Sequence, residues 1–257
     1  MKAVNVLLAL WTGLIMAFFY LPIAILVAFS FNTARLNVVW EGFTLSWYAA
    51  VWHDSPLMRS FANSLVVAGV TTAVSVGLGT AGAWVLERYR FRGARFLYTL
   101  VLMPMISPEV IMGVSLLILF VALHLELGYL TIIISHVTFC FPFVLVAVQA
   151  RLAGLDPALE EAAWDLGATP ASAFRRVLIP ALMPAILSGA LMAFTLSLDE
   201  LIVTYFTASA ATRTLPLEIY GRVKKGLDPT LNAISTVFVA AAVLLVAVSE
   251  LVRRRYR

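Results

Sequence analysis

The 257-residue sequence predicts an all-α membrane protein with six transmembrane helices in a single domain, 1–257, and three observations carry that prediction. Hydrophobic residues make up 62% of the chain and charged residues 12%, with a mean hydropathy of +0.96; a soluble domain carries about a quarter charged residues. Six apolar runs approach or exceed the roughly 20 residues needed to cross a hydrocarbon core. Basic residues gather at the ends of those runs, where membrane orientation places them, so the net charge of +4 argues only weakly for nucleic acid. The single Cys140 excludes a disulfide framework and a cysteine-based zinc site, and His53, His124 and His136 show no metal-ligand spacing.

The first span covers 4–31, where no charge interrupts the run between Lys2 and Arg35. It is too long for the apolar core of a signal peptide and lacks the small-residue cleavage site, so it reads as a retained helix. Residues 32–60 carry Trp40, Phe43, Trp47, Tyr48 and Trp52, a composition suited to the headgroup level of the lipid. The second span is 61–86, with Gly69, Ala73, Gly77 and Ala81 forming a small-residue stripe that would let another helix approach closely. The third, 96–123, is interrupted by Pro104, Pro108 and Glu109; the fourth is 129–150. The fifth is 182–208, with Asp199 and Glu200 inside it, and the sixth is 230–249, after a polar loop over 209–229.

Six spans put both termini on one side. That side carries Lys2, Arg88, Arg90, Arg92, Arg95, Arg151, Arg175, Arg176 and the tail arginines Arg253, Arg254, Arg255 and Arg257, against Arg35, Arg59, Arg213, Arg222, Lys224 and Lys225 on the other. The basic excess places both termini, and the polar segment 151–180, in the cytoplasm.

Within that segment Asp156-Pro157 is a helix start, because Asp accepts orphan N–H groups and Pro suits the first helical position. Glu160 and Glu161 sit near the positive end of the helix dipole. Gly167 is a natural stop, and Thr169-Pro170 restarts the chain. The expectation is two short helices bent at Gly167 and closed by Pro180 and Pro184, with Ala162, Ala163 and Leu166 as a small apolar face. A DNA-binding helix-turn-helix is disfavoured by the few basic residues and by the membrane spans on both flanks.

Glu161-Ala162-Ala163, three residues, Gly167, nine residues, then Val177-Leu178-Ile179-Pro180 resembles the EAA loop of ABC importer permeases, with Val177 and Ile179 as conservative departures. Ser107-Pro108-Glu109-Val110, Ser135 to Val144, and Phe194-Thr195-Leu196-Ser197-Leu198-Asp199-Glu200 are similar to the spermidine/putrescine permeases of that family, as are Leu215 to Tyr220 and Asn232-Ala233. Glu109 and Glu200 stand where those permeases have Asp. The resemblance implies a type I (MetI-like) permease fold in a bacterial inner membrane. It implies that Glu160, Glu161, Ala162, Ala163, Asp165 and Gly167 form the coupling helix docking on an ATPase dimer. It further implies a second homologous permease subunit and a periplasmic substrate-binding protein, met by Trp47 and Tyr48. The chain has no G-x-x-x-x-G-K-[ST] loop, so ATP and Mg belong to the partner and no cofactor to this chain.

Carboxylates inside a membrane cost about 2.5–3.5 kcal/mol each on insertion scales, which makes them functional candidates. Glu109, Asp199 and Ser197, with Glu200, are therefore read as a path for an amine-bearing cation such as a polyamine. Adjacent residues on a helix point about 100° apart, so Asp199 and Glu200 are not expected to face one point. Pairing of these acids with a second permease subunit is the competing account. Another amine or a phosphonate as cargo, a stand-alone secondary transporter, and an intramembrane aspartyl protease using Glu109 and Asp199 also stay open from the residues.

Overall fold

The computed structural model describes residues 2–34, 39–89, 91–226 and 229–255, with side chains over 4–34, 39–89, 91–226 and 229–244. Of the charges used for orientation, Arg35, Arg90 and Arg257 lie outside the described residues, as do the side chains of Lys2 and Arg253–Arg255. The described residues form helices, with one isolated bridge between Asn32 and Phe43. Contacts divide the chain into two compact units, Met1–Arg59 with Glu218–Leu244, and Ser60–Leu217 with Leu245–Arg257.

In the first unit α1 (Lys2–Phe29) is apolar on all sides, and none of its membrane-length window is buried in the chain. The aromatic segment that follows is folded around Asn32. Its Nδ2 donates to Val39 O at 2.7 Å, its Oδ1 accepts from Glu41 N at 2.9 Å, and its carbonyl accepts the Trp47 indole N–H at 2.7 Å. Phe31 lies between Phe43 and Tyr48, with ring centroids at 5.4 and 5.3 Å. α2 (Ser46–His53) ends at Asp54, whose Oδ1 accepts from Leu57 N at the start of α3 (Ser55–Arg88). Arg222 reaches Asp54 through both guanidinium tips, at 2.6 and 2.8 Å, and Glu218 at 3.0 Å.

The second unit is built on α6 (Tyr129–Leu152), whose inner positions Ile132, Val144, Val148 and Leu152 are fully buried. Val144 is wedged between two glycines. A Cβ on Gly79 of α3 would stand 2.7 Å from Val144 Cβ, and one on Gly189 of α9 (Ile179–Asp199) 3.2 Å from Val144 Cα. The glycines that bring helices together are thus Gly79 and Gly189. The stripe read from sequence, Gly69, Ala73, Gly77 and Ala81, lies on the exposed face of α3 in this chain, and nothing stands within 4 Å of a Cβ on Gly69 or Gly77. A four-residue spacing recurs on every face of a small-residue-rich helix, so spacing alone does not select the face.

Both acid-bearing spans are broken. The third consists of α4 (Ala94–Ile106) and α5 (Glu109–Ala122), bent by 111° at Ser107–Pro108. Pro108 has no N–H to give, and it holds Ser107 in extended backbone (ψ 137°). Glu109 consequently starts a helix instead of lying midway along one. The fifth span ends α9 at Asp199, turns extended at Glu200 (ψ 119°) and restarts as α10 (Ile202–Thr207).

In the polar segment α7 (Ala158–Asp165) follows Asp156, whose Oδ1 accepts from Ala158 N at 2.9 Å, and Gly167 takes φ +82° as expected. Thr169 caps α8 (Pro170–Ala173) through Ser172 N. The second helix is not short: α8, a π-helical turn (Phe174–Leu178) and α9 form one run, Pro170–Asp199. Pro180 does not close it, because the wider π turn, with Ile179 N–H bonded to Phe174 O five residues back, gives the proline ring room. The stretch expected as a polar loop at 209–229 contains α11 (Leu215–Lys225). By length and composition four described helical runs can cross a membrane, or five where the bent α4–α5 pair counts as one span. α12 (Pro229–Arg255) has 27 residues, with side chains described only to Leu244.

Two outcomes follow. Gly79→Ala should lower stability by about 1–3 kcal/mol through overpacking against Val144, read as a lower thermal midpoint in detergent, while Gly77→Ala leaves the midpoint of the isolated chain in place. The Arg222 guanidinium holds the Asp54 carboxyl below its usual 3.8. Ionised Asp54 therefore stabilises the fold fully above that value, and this contribution fades as pH falls through the lowered folded-state pKa. Asp54→Asn should flatten the acid limb of a stability–pH curve.

Candidate functional site

Glu109, Asp199 and Glu200 converge on one cavity of about 390 Å³. Each acid arrives there because a helix breaks. Glu109 stands in the first turn of α5, where the helix dipole favours a carboxylate. Asp199 is the last residue of α9, and Glu200 occupies the extended link to α10. Both residues line the cavity, but Glu200 keeps a helical φ of -65° and turns extended only at ψ, so the 100° offset from Asp199 is retained: Asp199 is exposed to the cavity and Glu200 is buried in its wall. α5 and α10 are held together by Phe206, whose ring seats on Gly113 so closely that a Cβ there would meet it at 2.6 Å.

The three acids have different surroundings. Asp199 and Glu109 are exposed to the cavity, whereas Glu200 is 7% exposed and its Oε1 accepts Val203 N at 2.8 Å, capping α10. Ser197 does not join them. It is 3% exposed, and its hydroxyl bonds His136 Nδ1 at 2.7 Å behind the cavity wall. The other walls are apolar and polarisable, with Phe139 and Phe143 from α6 and Met105 and Met112 beside the α4–α5 break. Among the described residues lining the cavity no side chain is basic. A lining of acids, aromatic rings and thioethers suits a cation carried on an aliphatic chain. Sequence reasoning missed Phe139, Phe143 and His136. They sit in the apolar run Ser135 to Val144, which is singled out by resemblance alone and given no role.

The polar element divides by burial. Glu160 is 5% exposed and accepts a hydrogen bond from Arg88 Nε at 2.5 Å, and Ala163 is buried, so both face into the chain and fix α7 to the end of α3. Glu161, Ala162, Asp165 and Gly167 face outward, together with Leu159, Trp164 and Leu166, the last 90% exposed. Trp84 of α3 stacks on Phe174 of the π turn at 4.4 Å, buttressing the same junction. In the first unit Trp47 and Tyr48 are half-buried, with their polar atoms bonded to Asn32 O and Ser30 Oγ; Trp40, Phe43 and Trp52 are the rings of that segment left exposed.

Residues 73–257 match the family described as binding-protein-dependent transport system inner membrane component. The chain belongs to this family. It is 39% identical over 240 residues to the spermidine/putrescine transport system permease protein PotC of Escherichia coli (strain K12), covering 93% of this chain and 91% of that one. It is 42% identical over 231 residues to the putrescine transport system permease protein PotI of the same strain, covering 87% and 82%. Among solved structures it superimposes on a chain of a bacterial ABC transporter involved in the import of the acidic polysaccharide alginate, with a TM-score of 0.76, 18% identity, and 100% and 97% of the two chains covered. A chain of the MetNI methionine ABC transporter in an inward-facing form gives a TM-score of 0.68 at 18% identity, covering 81% and 98%. The fold is that of an ABC importer permease, embedded in the membrane.

Arg88→Met leaves the buried Glu160 without its cation. The expected result is loss of about 3 kcal/mol of α7 docking, seen as faster amide hydrogen exchange over residues 158–165 than in the parent chain.

Proposed function

We propose that this permease passes polyamines of the spermidine/putrescine class, and that Glu109 and Asp199 receive their ammonium groups. The observation that carries the reading is the convergence of three carboxylates on a cavity with aromatic and thioether walls and no basic lining. The names of the relatives, PotC and PotI, support the same class. A carboxylate-lined path repels an anionic phosphonate and replaces part of the hydration that an ammonium sheds. Glu200 contributes charge while its capping bond keeps it in the wall, and Ser197 acts from behind that wall.

In this reading the chain works as one of two homologous permease subunits. A dimer of ATPase subunits holds the ATP and Mg, and a periplasmic binding protein delivers the cargo. The outward-facing Glu161, Ala162, Asp165 and Gly167 meet the ATPase; Glu160 and Ala163 serve that contact by anchoring α7. Trp47 and Tyr48 shape the aromatic surface offered to the binding protein. Six spans, with α4–α5 as the third and α12 as the sixth, put both termini and α7 in the cytoplasm of a bacterial inner membrane.

The test is Asp199→Asn in the assembled complex, reconstituted with its binding protein. Putrescine or spermidine uptake at limiting substrate should fall by about tenfold or more, the scale of losing one close charge partner. Uptake equal to the parent's would sink the assignment.

A further inference from the structure

His136 is fully buried in α6, and both ring nitrogens are used across helices: Nδ1 lies 2.7 Å from Ser197 Oγ on α9, and Nε2 lies 2.9 Å from Thr204 Oγ1 on α10. These two partners flank the break that carries Asp199 and Glu200. The proton order can be read from the next bond along. Thr204 Oγ1 donates its hydrogen to Glu200 O at 3.1 Å, so the same oxygen accepts from His136 Nε2–H. A neutral imidazole then has Nδ1 as its acceptor, and the Ser197 hydroxyl donates to it. The result is a one-way chain: Ser197 O–H to His136, His136 N–H to Thr204, Thr204 O–H to the Glu200 carbonyl. All four residues are 7% exposed or less, so water cannot substitute for any link at small cost. The ring also packs against Phe139 of the cavity wall, with centroids 5.6 Å apart.

We propose that His136 is a positioning residue for cargo passage. It touches no substrate, but it pins the two halves of the broken fifth span to α6 and so sets the aim of Asp199 and Glu200 into the cavity. This rests on the cation-path reading above. The link between Asp199 and Ile202 contains neither Pro nor Gly, so its own sequence does not fix the geometry of the break; the hydrogen-bond chain does.

The test measures polyamine imported per ATP hydrolysed by the full complex in proteoliposomes. His136→Leu, which removes both bonds, should lower that ratio about tenfold, the effect of leaving a buried polar partner unmatched. His136→Asn places an amide near the Nδ1 position and keeps the Ser197 bond; His136→Gln reaches the Nε2 position and keeps the Thr204 bond. Each should recover part of the loss. A ratio for His136→Leu within about twofold of the parent's, or an equal loss in the Leu, Asn and Gln variants, overturns the proposal, the second pattern being that of bulk packing. Where His136→Leu does not assemble, the near-isosteric Thr204→Val decides by the same threshold. Asp199→Asn run in parallel separates the two ideas. If that variant imports normally, the cation path itself falls; if it fails while His136→Leu imports normally, only the role of His136 falls.

Discussion

The close approach of three helices at Val144 is the constraint on which the rest of the second unit depends. With lipid as solvent, apolar side chains gain little by turning inward, and helix association relies on contact at short range and on matched polar groups. Gly79 and Gly189 supply the short range, letting α3 and α9 lie against the two flanks of one valine on α6. Once α6 and α9 are held there, His136 comes within reach of Ser197, and Phe139 and Phe143 line the cavity that the acids share. Each acid stands at or beside a helix end, and a backbone donor freed at the start of α10 is met locally. Met103 O accepts both the N–H and the Oγ hydrogen of Ser107 at the end of α4, and the Glu200 carboxylate accepts Val203 N at the start of α10. Irregular backbone at membrane depth survives only with such compensation or beside a water-filled space.

Much of this was legible in the residues, and what was not has physical reasons. The apolar runs announced membrane helices because nothing else needs so many consecutive oily positions. Asp156, Gly167 and Thr169 announced their caps because each acts through its own backbone neighbours, and the structure shows all three in those roles. The break at Pro108 had a local cause, yet its angle of 111° is set by where α5 meets Phe206 on α10, a contact distant in sequence. The break at Glu200 had no local cause in the text at all, since Leu198 to Val203 reads as helix. α11 was hidden for the opposite reason. Its polar composition suggested a loop, while its order comes from Arg222 gripping Asp54, 168 residues away.

The segment around α7 shows how a motif and its geometry divide the labour. The spacing from Glu161 to Pro180 identifies the family, but burial separates residues with different tasks inside the motif. Glu160 and Ala163 look inward and fasten the helix, while Glu161, Ala162 and the large apolar Leu159, Trp164 and Leu166 look outward. A charged residue adjacent to another in sequence therefore carries an unrelated duty, as Asp199 and Glu200 also show at the cavity.

The helical run from Pro170 to Asp199 links the segment beside α7 to the cavity in one piece. At 1.5 Å per residue its contour is about 44 Å, with α7 beside one end and a cavity carboxylate at the other. A sphere of 390 Å³ is about 9 Å across. A tilt of about 5° pivoting at the α7 end would sweep Asp199 through about 4 Å, nearly half that width. Because Gly189 and Ser197 also tie α9 to α6, any such tilt would have to carry the α6 wall with it or loosen those contacts first.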